Sequence, residues 1–230
     1  MKLGKYGKYK EKVIKYAQLM LAGGYTAGTG GNVSVLIEGE DAVAVTPSDR
    51  DYMELAPEDI CVVNFDGAPL EGKLKPSIET GMHIAVYRNR PDVNAVIHTH
   101  QVFASVFALL NRPVPALFDE AVANMGDVVE VIPYALSGSP ELAANVAGKL
   151  ANRCNCYIIQ NHGALCLGVS IEKAFRNVEL LEKCARVYYC ALAAGGEITT
   201  LPQSAVDHFL QILRREQDRE VERKSGIRDL

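Results

Sequence analysis

The sequence predicts a single α/β domain, and three observations carry that reading. Its 230 residues fit one domain of roughly 100–200 residues with a tail. Hydrophobic residues make up 48% and charged residues 23%, the balance of a globular chain that can bury a full core without metal or disulfide. Segments of helical apolar period alternate with short β-prone runs, and no repeat, low-complexity stretch or linker interrupts them. Disordered, collagen-like and coiled-coil classes are excluded by the same composition.

Residues 8–22 open as an amphipathic helix. Val13, Ile14, Ala17, Met20 and Leu21 share one face, and Gly23-Gly24 stops the run. Three β-prone pieces follow at 33–37, 42–46 and 60–65, separated by polar, Gly or Pro punctuation, which predicts a meander of hairpins. Ser77 is expected to cap a second helix over 78–89, ending before Arg90-Pro91. Residues 93–99 read as a buried strand and 102–110 as a buried helix. Ser139-Pro140-Glu141 is a cap, an N1 proline and an early acid, starting a helix that runs to about Leu150. Residues 157–160 and 164–167 are strand-like and flank Asn161-His162-Gly163. One long helix spans 171–194 and closes on Gly195-Gly196. Residues 211–224 alternate both signs of charge, as a solvated or subunit-bridging helix does, within a charged helical tail over about 203–230.

The formal net charge is −4 and the pI about 5.8, which argues against nucleic acid as the main partner. The apolar runs at 102–110 and 191–194 fall far short of the ~20 residues of a membrane helix, so no membrane partner is expected. The lysine-rich start, residues 1–11, is not followed by the apolar region of a signal peptide. The expected setting is the cytoplasm. The six cysteines (Cys61, Cys154, Cys156, Cys166, Cys184 and Cys190) read as reduced structural thiols, because Cys154-Asn155-Cys156 lacks a second pair at zinc-ribbon spacing.

The chemistry-bearing residues are histidines. His98-Thr99-His100 ends an apolar strand, where residues i and i+2 point to the same face, so two imidazoles emerge side by side. His162 follows another apolar strand, and Gly163 allows a tight turn there. Alone, His-x-His is equally a surface pair on a strand end. With a His-Gly turn at a second strand end, the set has the composition of a catalytic divalent-metal centre of zinc type. Glu79 lies in the expected first turn of the second helix, where a carboxylate commonly serves the helix dipole, and spacing alone does not lift it above that role. His83, four residues on, reads as a core or supporting histidine, and His208 has no nameable partner. Gly28-Thr29-Gly30-Gly31-Asn32 and Thr46-Pro47-Ser48-Asp49 are turns; the first fits neither phosphate-loop pattern, but a nest of its N–H groups suits an anion.

Taken in order, these segments resemble the class II aldolase/adducin family, closest to its L-fuculose-1-phosphate aldolase branch. The resemblance rests on Gly28-Thr29-Gly30-Gly31-Asn32-Val33-Ser34, Thr46-Pro47-Ser48, Pro76-Ser77-Ile78-Glu79 and the block from Arg90 through Asn94-Ala95-Val96-Ile97-His98-Thr99-His100. Gly138-Ser139-Pro140-Glu141-Leu142, Asn161-His162-Gly163 and Glu172-Lys173-Ala174 complete it. It covers residues 10–195. It implies a three-layer α/β/α fold around a largely antiparallel mixed sheet, assembled as a homotetramer with sites between subunits. It implies zinc, or another divalent metal, on His98, His100 and His162. Glu79 is the implied catalytic acid/base and touches the metal when substrate is absent. A phosphate pocket is implied at Thr29, Gly31, Asn32, Ser48, Asp49 and Ser77.

The implied reaction is cleavage of a ketose 1-phosphate to dihydroxyacetone phosphate and a short aldehyde. Zinc acts as Lewis acid for the enediolate, and Glu79 moves the proton. Three departures point to relatives that decarboxylate or epimerise. Ile78 replaces a serine, Asp49 replaces a glycine, and the segment Pro115-Ala116-Leu117-Phe118-Asp119 lacks the tyrosine expected to protonate the leaving alkoxide. A non-enzymatic adducin-head domain is the third reading, and the three histidines argue against it.

Overall fold

The computed structural model describes residues 4–115 and 117–228; side chains are described to Gly226. Residue 116, inside the segment read above for a missing tyrosine, and the last two residues of the charged tail lie outside the described residues. Helix α1 (Gly7–Ala22) leads into β1 (Asn32–Leu36), β2 (Ala42–Val45), β3 (Cys61–Asn64) and β4 (Pro69–Glu71). Helix α2 (Thr80–Asn89), β5 (Ala95–Thr99), α3 (Val102–Leu110), β6 (Val114–Pro115), α4 (Asp119–Met125) and β7 (Val128–Ile132) follow. Then come α5 (Pro140–Lys149), β8 (Cys156–Ile159), β9 (Gly163–Gly168), α6 (Ile171–Ala193) and α7 (Gln203–Arg228).

The strands form one sheet in the order β4-β3-β2-β1-β5-β9-β8-β7-β6. Every neighbouring pair is antiparallel except β7 and β8, so β1 to β3 form the expected meander and β4 extends it. Alternation along the strands feeds two cores. Val33, Val35, Ala95 and Ile97 face α1, α3, α4 and α6, whereas Val96, Leu165, Leu167 and Tyr157 face α2 and α5. The result is the α/β/α sandwich. Helix α6 fits its layer because Ile171, Ala174, Val178, Leu181, Ala185 and Tyr188 recur every three or four residues. The Ser170 side chain accepts from the Lys173 N–H, and Ser139 likewise caps α5 at the Leu142 N–H.

Four elements escaped the sequence reading: β4, β6, α4 and β7. Two readings are corrected. Helix α2 begins at Thr80, with Glu79 as its N-cap, and Ser77 is not the cap. The Ser77 N–H is held by the Thr46 carbonyl at 3.0 Å, which keeps the chain extended there. Helix α3, expected to be buried, turns only Ala104, Phe107 and Ala108 inward. Val102, Leu109 and Leu110 are more than half exposed, because the helix covers the sheet with one face alone.

Several polar and charged side chains of α7 are engaged within the chain. Arg214 donates to the carbonyls of Asn152 and Arg153, and Gln217, fully buried, donates to Arg153 O and Asn155 Oδ1. Beneath them Arg90 forms a two-pronged pair with Asp92 at 2.8 and 2.7 Å and reaches Cys154 O and Asn155 Oδ1. Both partners of that pair are almost wholly buried. Removing one charge strands the other, so Arg90→Leu is expected to lower unfolding free energy by about 3–5 kcal/mol. Urea denaturation monitored by circular dichroism measures this, and a loss below about 1 kcal/mol would show the pair is not a stabilising anchor.

Candidate metal centre and pocket

The three histidines converge. One nitrogen from each of His98, His100 and His162 lies within 4.8 Å of the others. His98 and His100 leave the end of β5, and the β8–β9 hairpin brings His162 beside them. In that hairpin Asn161 takes a left-handed φ of 52° and the His162 N–H bonds Ile159 O at 3.1 Å. Gly163 is required by close approach. A Cβ there would lie 2.3 Å from Thr99 O, 2.8 Å from His100 Cδ2 and 3.2 Å from His98 Cε1.

His98 is fully buried and donates from Nδ1 to Ala164 O at 2.9 Å. That bond fixes the tautomer, leaving the Nε2 lone pair aimed inward, as a ligating imidazole requires. Its Nε2 stands 3.1 Å from His100 Nε2. Burial, then His162, then His100 hold the His98 pKa well below its ordinary value. Burial followed by His162 lowers His100 as well. Neutral rings therefore face one another with lone pairs available.

Glu79 completes the cluster from the opposite layer. Its Oε1 lies 3.2 Å from His162 Nε2 and its Oε2 3.4 Å from His98 Nε2. Asn32 Nδ2 donates to Oε2 at 2.8 Å, while Oε1 is buried without a hydrogen bond. A carboxylate in so dry a place is costly unless a positive charge meets it. Three inward nitrogens and a hydrogen-bond-free buried carboxylate oxygen are the donor set of a divalent cation, and the residues fit one. Behind Glu79, His83 lies fully buried with its Nδ1 2.6 Å from Ser34 Oγ, itself 2.8 Å from the Tyr87 hydroxyl. Burial, ahead of the nearby His98, lowers the His83 pKa to about 3. His208 sits in the second turn of α7 and stacks edge-on against Phe209.

In front of the cluster opens a cavity of about 310 Å³ lined by Thr29, Gly31, Asn32, Ser48, Asp49 and Ser77, together with Glu79, His100 and His162. Its floor is two extended segments locked together, with Ser48 N bonded to Lys75 O and Ser48 Oγ to Pro76 O at 2.9 Å. Gly31 has a φ of +70°, and a Cβ there would stand 2.6 Å from His98 O, so this loop can approach β5 only as glycine. The sequence reading missed two contributors. Tyr52, almost wholly buried, donates to Gly31 O at 2.5 Å and pins the glycine loop. Ser137 reaches His162 Nε2 at 3.5 Å from the loop before α5. Nothing in the local sequence marks either, since each acts across a tertiary contact.

The fold and site define an α/β/α domain whose central strands end in a three-histidine cluster beside a buried glutamate. The chain belongs to the Class II Aldolase and Adducin N-terminal domain family, whose profile matches residues 11–189. Over 203 residues it is 36% identical to 5-deoxy-D-ribulose 1-phosphate aldolase of Bacillus thuringiensis serovar kurstaki, covering 88% of this chain and 93% of that one. It is 34% identical over 204 residues to L-fuculose phosphate aldolase of Escherichia coli K12, covering 89% and 93%. A solved L-fuculose 1-phosphate aldolase superposes with a TM-score of 0.83 at 35% identity, covering 90% and 96%. YgbL of Escherichia coli, described as a candidate aldolase, epimerase or decarboxylase, superposes with a TM-score of 0.78 at 28% identity, covering 87% and 97%. These aldolase relatives are lyases, and class II aldolases are metal-dependent. Among the described residues no helix is long and apolar enough to cross a membrane.

Gly163→Ala is expected to push β9 off β5 at the cluster, costing about 2 kcal/mol or more of stability and most divalent-metal affinity. Thermal unfolding with metal titration checks it; unaltered affinity would show that the ring spacing tolerates the shift.

Proposed function

We propose that this chain is a divalent-metal aldolase, with zinc as the ion its all-imidazole set suits best. It cleaves a ketose 1-phosphate to dihydroxyacetone phosphate and a short aldehyde. The observation that carries the reading is the meeting of three inward imidazoles and the Glu79 carboxylate at the mouth of a pocket rich in hydroxyl and glycine residues.

His98, His100 and His162 are the ligands in this reading, with Glu79 a fourth in the substrate-free state. When bound, the ion supplies Lewis-acid polarisation of the substrate's carbonyl and hydroxyl oxygens. Glu79 is the acid/base. Asn32 ties Oε2 and so fixes the carboxylate's rotation, which leaves Oε1 free to take a proton from the hydroxymethyl carbon of dihydroxyacetone phosphate in the condensing direction and return it in cleavage. The substrate's phosphate sits among Thr29, Gly31, Asn32, Ser48, Asp49 and Ser77. The domain works in the cytoplasm as a homotetramer, a reading supported by the family and by the exposed apolar residues Val102, Leu109, Leu110 and Val187. The family's decarboxylases and epimerases provide a second reading, favoured by Asp49 and Ile78 at the pocket and by the likeness to YgbL.

Two experiments test the assignment. His98→Ala is expected to drop bound metal from about one per chain to near zero, whereas Glu79→Gln keeps the metal and loses at least about a hundredfold in turnover. Elemental analysis beside rates measures both, and normal rates in Glu79→Gln would remove it from the acid/base role. Proton NMR of dihydroxyacetone phosphate in D₂O should show stereospecific loss of one hydroxymethyl proton, absent with Glu79→Gln. No exchange by fully metal-loaded protein would shift the assignment to decarboxylation or epimerisation.

A further inference from the structure

Apart from Glu79, His100 and His162 of the metal cluster, the cavity carries one ionisable side chain, the acid Asp49. Its lining includes Thr29, Ser48, Ser77, Asn32 and two glycines, but neither lysine nor arginine; Arg50 and Lys75, the neighbouring cations in sequence, are outside the lining. Away from Glu79, His100 and His162, the lining offers an anion hydroxyls, an amide and the backbone of two glycines. The anion also meets Asp49. That residue holds a left-handed φ of 55°, a conformation uncommon outside glycine, although aspartate tolerates it better than most. Its Oδ1 accepts the Thr29 hydroxyl at 3.2 Å across the pocket. The carboxylate therefore occupies a donor that a phosphate oxygen would use, and it adds a like charge to the lining of the pocket.

We propose that Asp49 is the specificity-determining residue of this pocket, setting its preference between a phosphate and an uncharged hydroxymethyl terminus. A dianion must break the Asp49–Thr29 contact and bear repulsion from the carboxylate. A neutral hydroxyl can instead donate to the free Asp49 oxygen. The pocket is accordingly a weak, discriminating phosphate site whose affinity is limited by one removable charge. This inference rests on the reading of the cavity as the phosphate pocket and adds the residue that tunes it. Asp49 is exposed at the rim, so its replacement leaves both cores untouched.

Asp49→Asn isolates the charge, because asparagine keeps the shape and accepts the same backbone conformation. Isothermal titration of the full-length, metal-loaded protein with inorganic phosphate, dihydroxyacetone phosphate and unphosphorylated dihydroxyacetone reads the preference. The variant is expected to bind both phosphates about tenfold more tightly at low salt, as removal of a unit like charge at close range predicts. It should bind dihydroxyacetone no better than the parent, and 0.5 M salt should shrink the difference. Equal phosphate affinity in parent and variant would overturn the role of Asp49 while leaving the pocket in place. No measurable binding of either phosphate by either protein would overturn both the role and the pocket.

Discussion

A buried carboxylate is the constraint around which this molecule is arranged. Glu79 is only 6% exposed, and ionised groups in such surroundings cost several kcal/mol unless other groups compensate them. The compensation comes from across the layers. Helix α2 lies over β1 so that Glu79 meets Asn32 while His83, one turn later, meets Ser34. Four helical residues advance about 6 Å and two strand residues about 6.7 Å, so the two polar contacts fit together without distortion. The same pairing sets the height of Glu79 over the strand ends, and hence its distance from His98 and His162.

Rigidity at those strand ends has several independent sources. The step beyond His100 is held by Thr99 Oγ1 donating to Gln101 Oε1 and by Gln101 Nε2 donating to Val178 O, so β5 is tied to α6. Glu182, also on α6, accepts the Phe103 and Ala104 N–H groups and supplies the cap that α3 lacks locally. The His100 N–H bonds Tyr25 O, fastening the entry to the glycine loop. Each contact removes a freedom that would otherwise let the imidazoles drift apart, and preorganisation of that kind is what a catalytic centre needs.

Much of this was legible in the chain, and the reasons are local. His98 and His100 announce themselves because a strand repeats every two residues, and His162 because a glycine follows it at a strand end. The cap of α5 is written beside its helix in Ser139-Pro140-Glu141. What was hidden is long-range. The Pro47 and Pro76 segments bridge one another, which extends the chain through Ser77 and delays α2 to Thr80; no pattern near Ser77 encodes that partner. The Asn32–Glu79 and Ser34–His83 contacts join residues 47 and 49 positions apart. Strands β6 and β7 are short or half-buried, so their alternation is faint. Tyr52 and Ser137 have no motif because each is useful only through a distant loop.

The side chains around this centre divide by how firmly they are held. His98, Glu79, Asn32 and Gly163 are enclosed by strands and helix, and a change in any of them disturbs its neighbours. Asp49, Ile78 and Ser137 stand on exposed rims of the same cavity. A scaffold built this way can change what its cavity accepts by single replacements at the rim while keeping the enclosed histidine–glutamate cluster intact. Replacements at these rim positions therefore change the lining of the cavity at little cost in stability, whereas replacements among the enclosed residues do not.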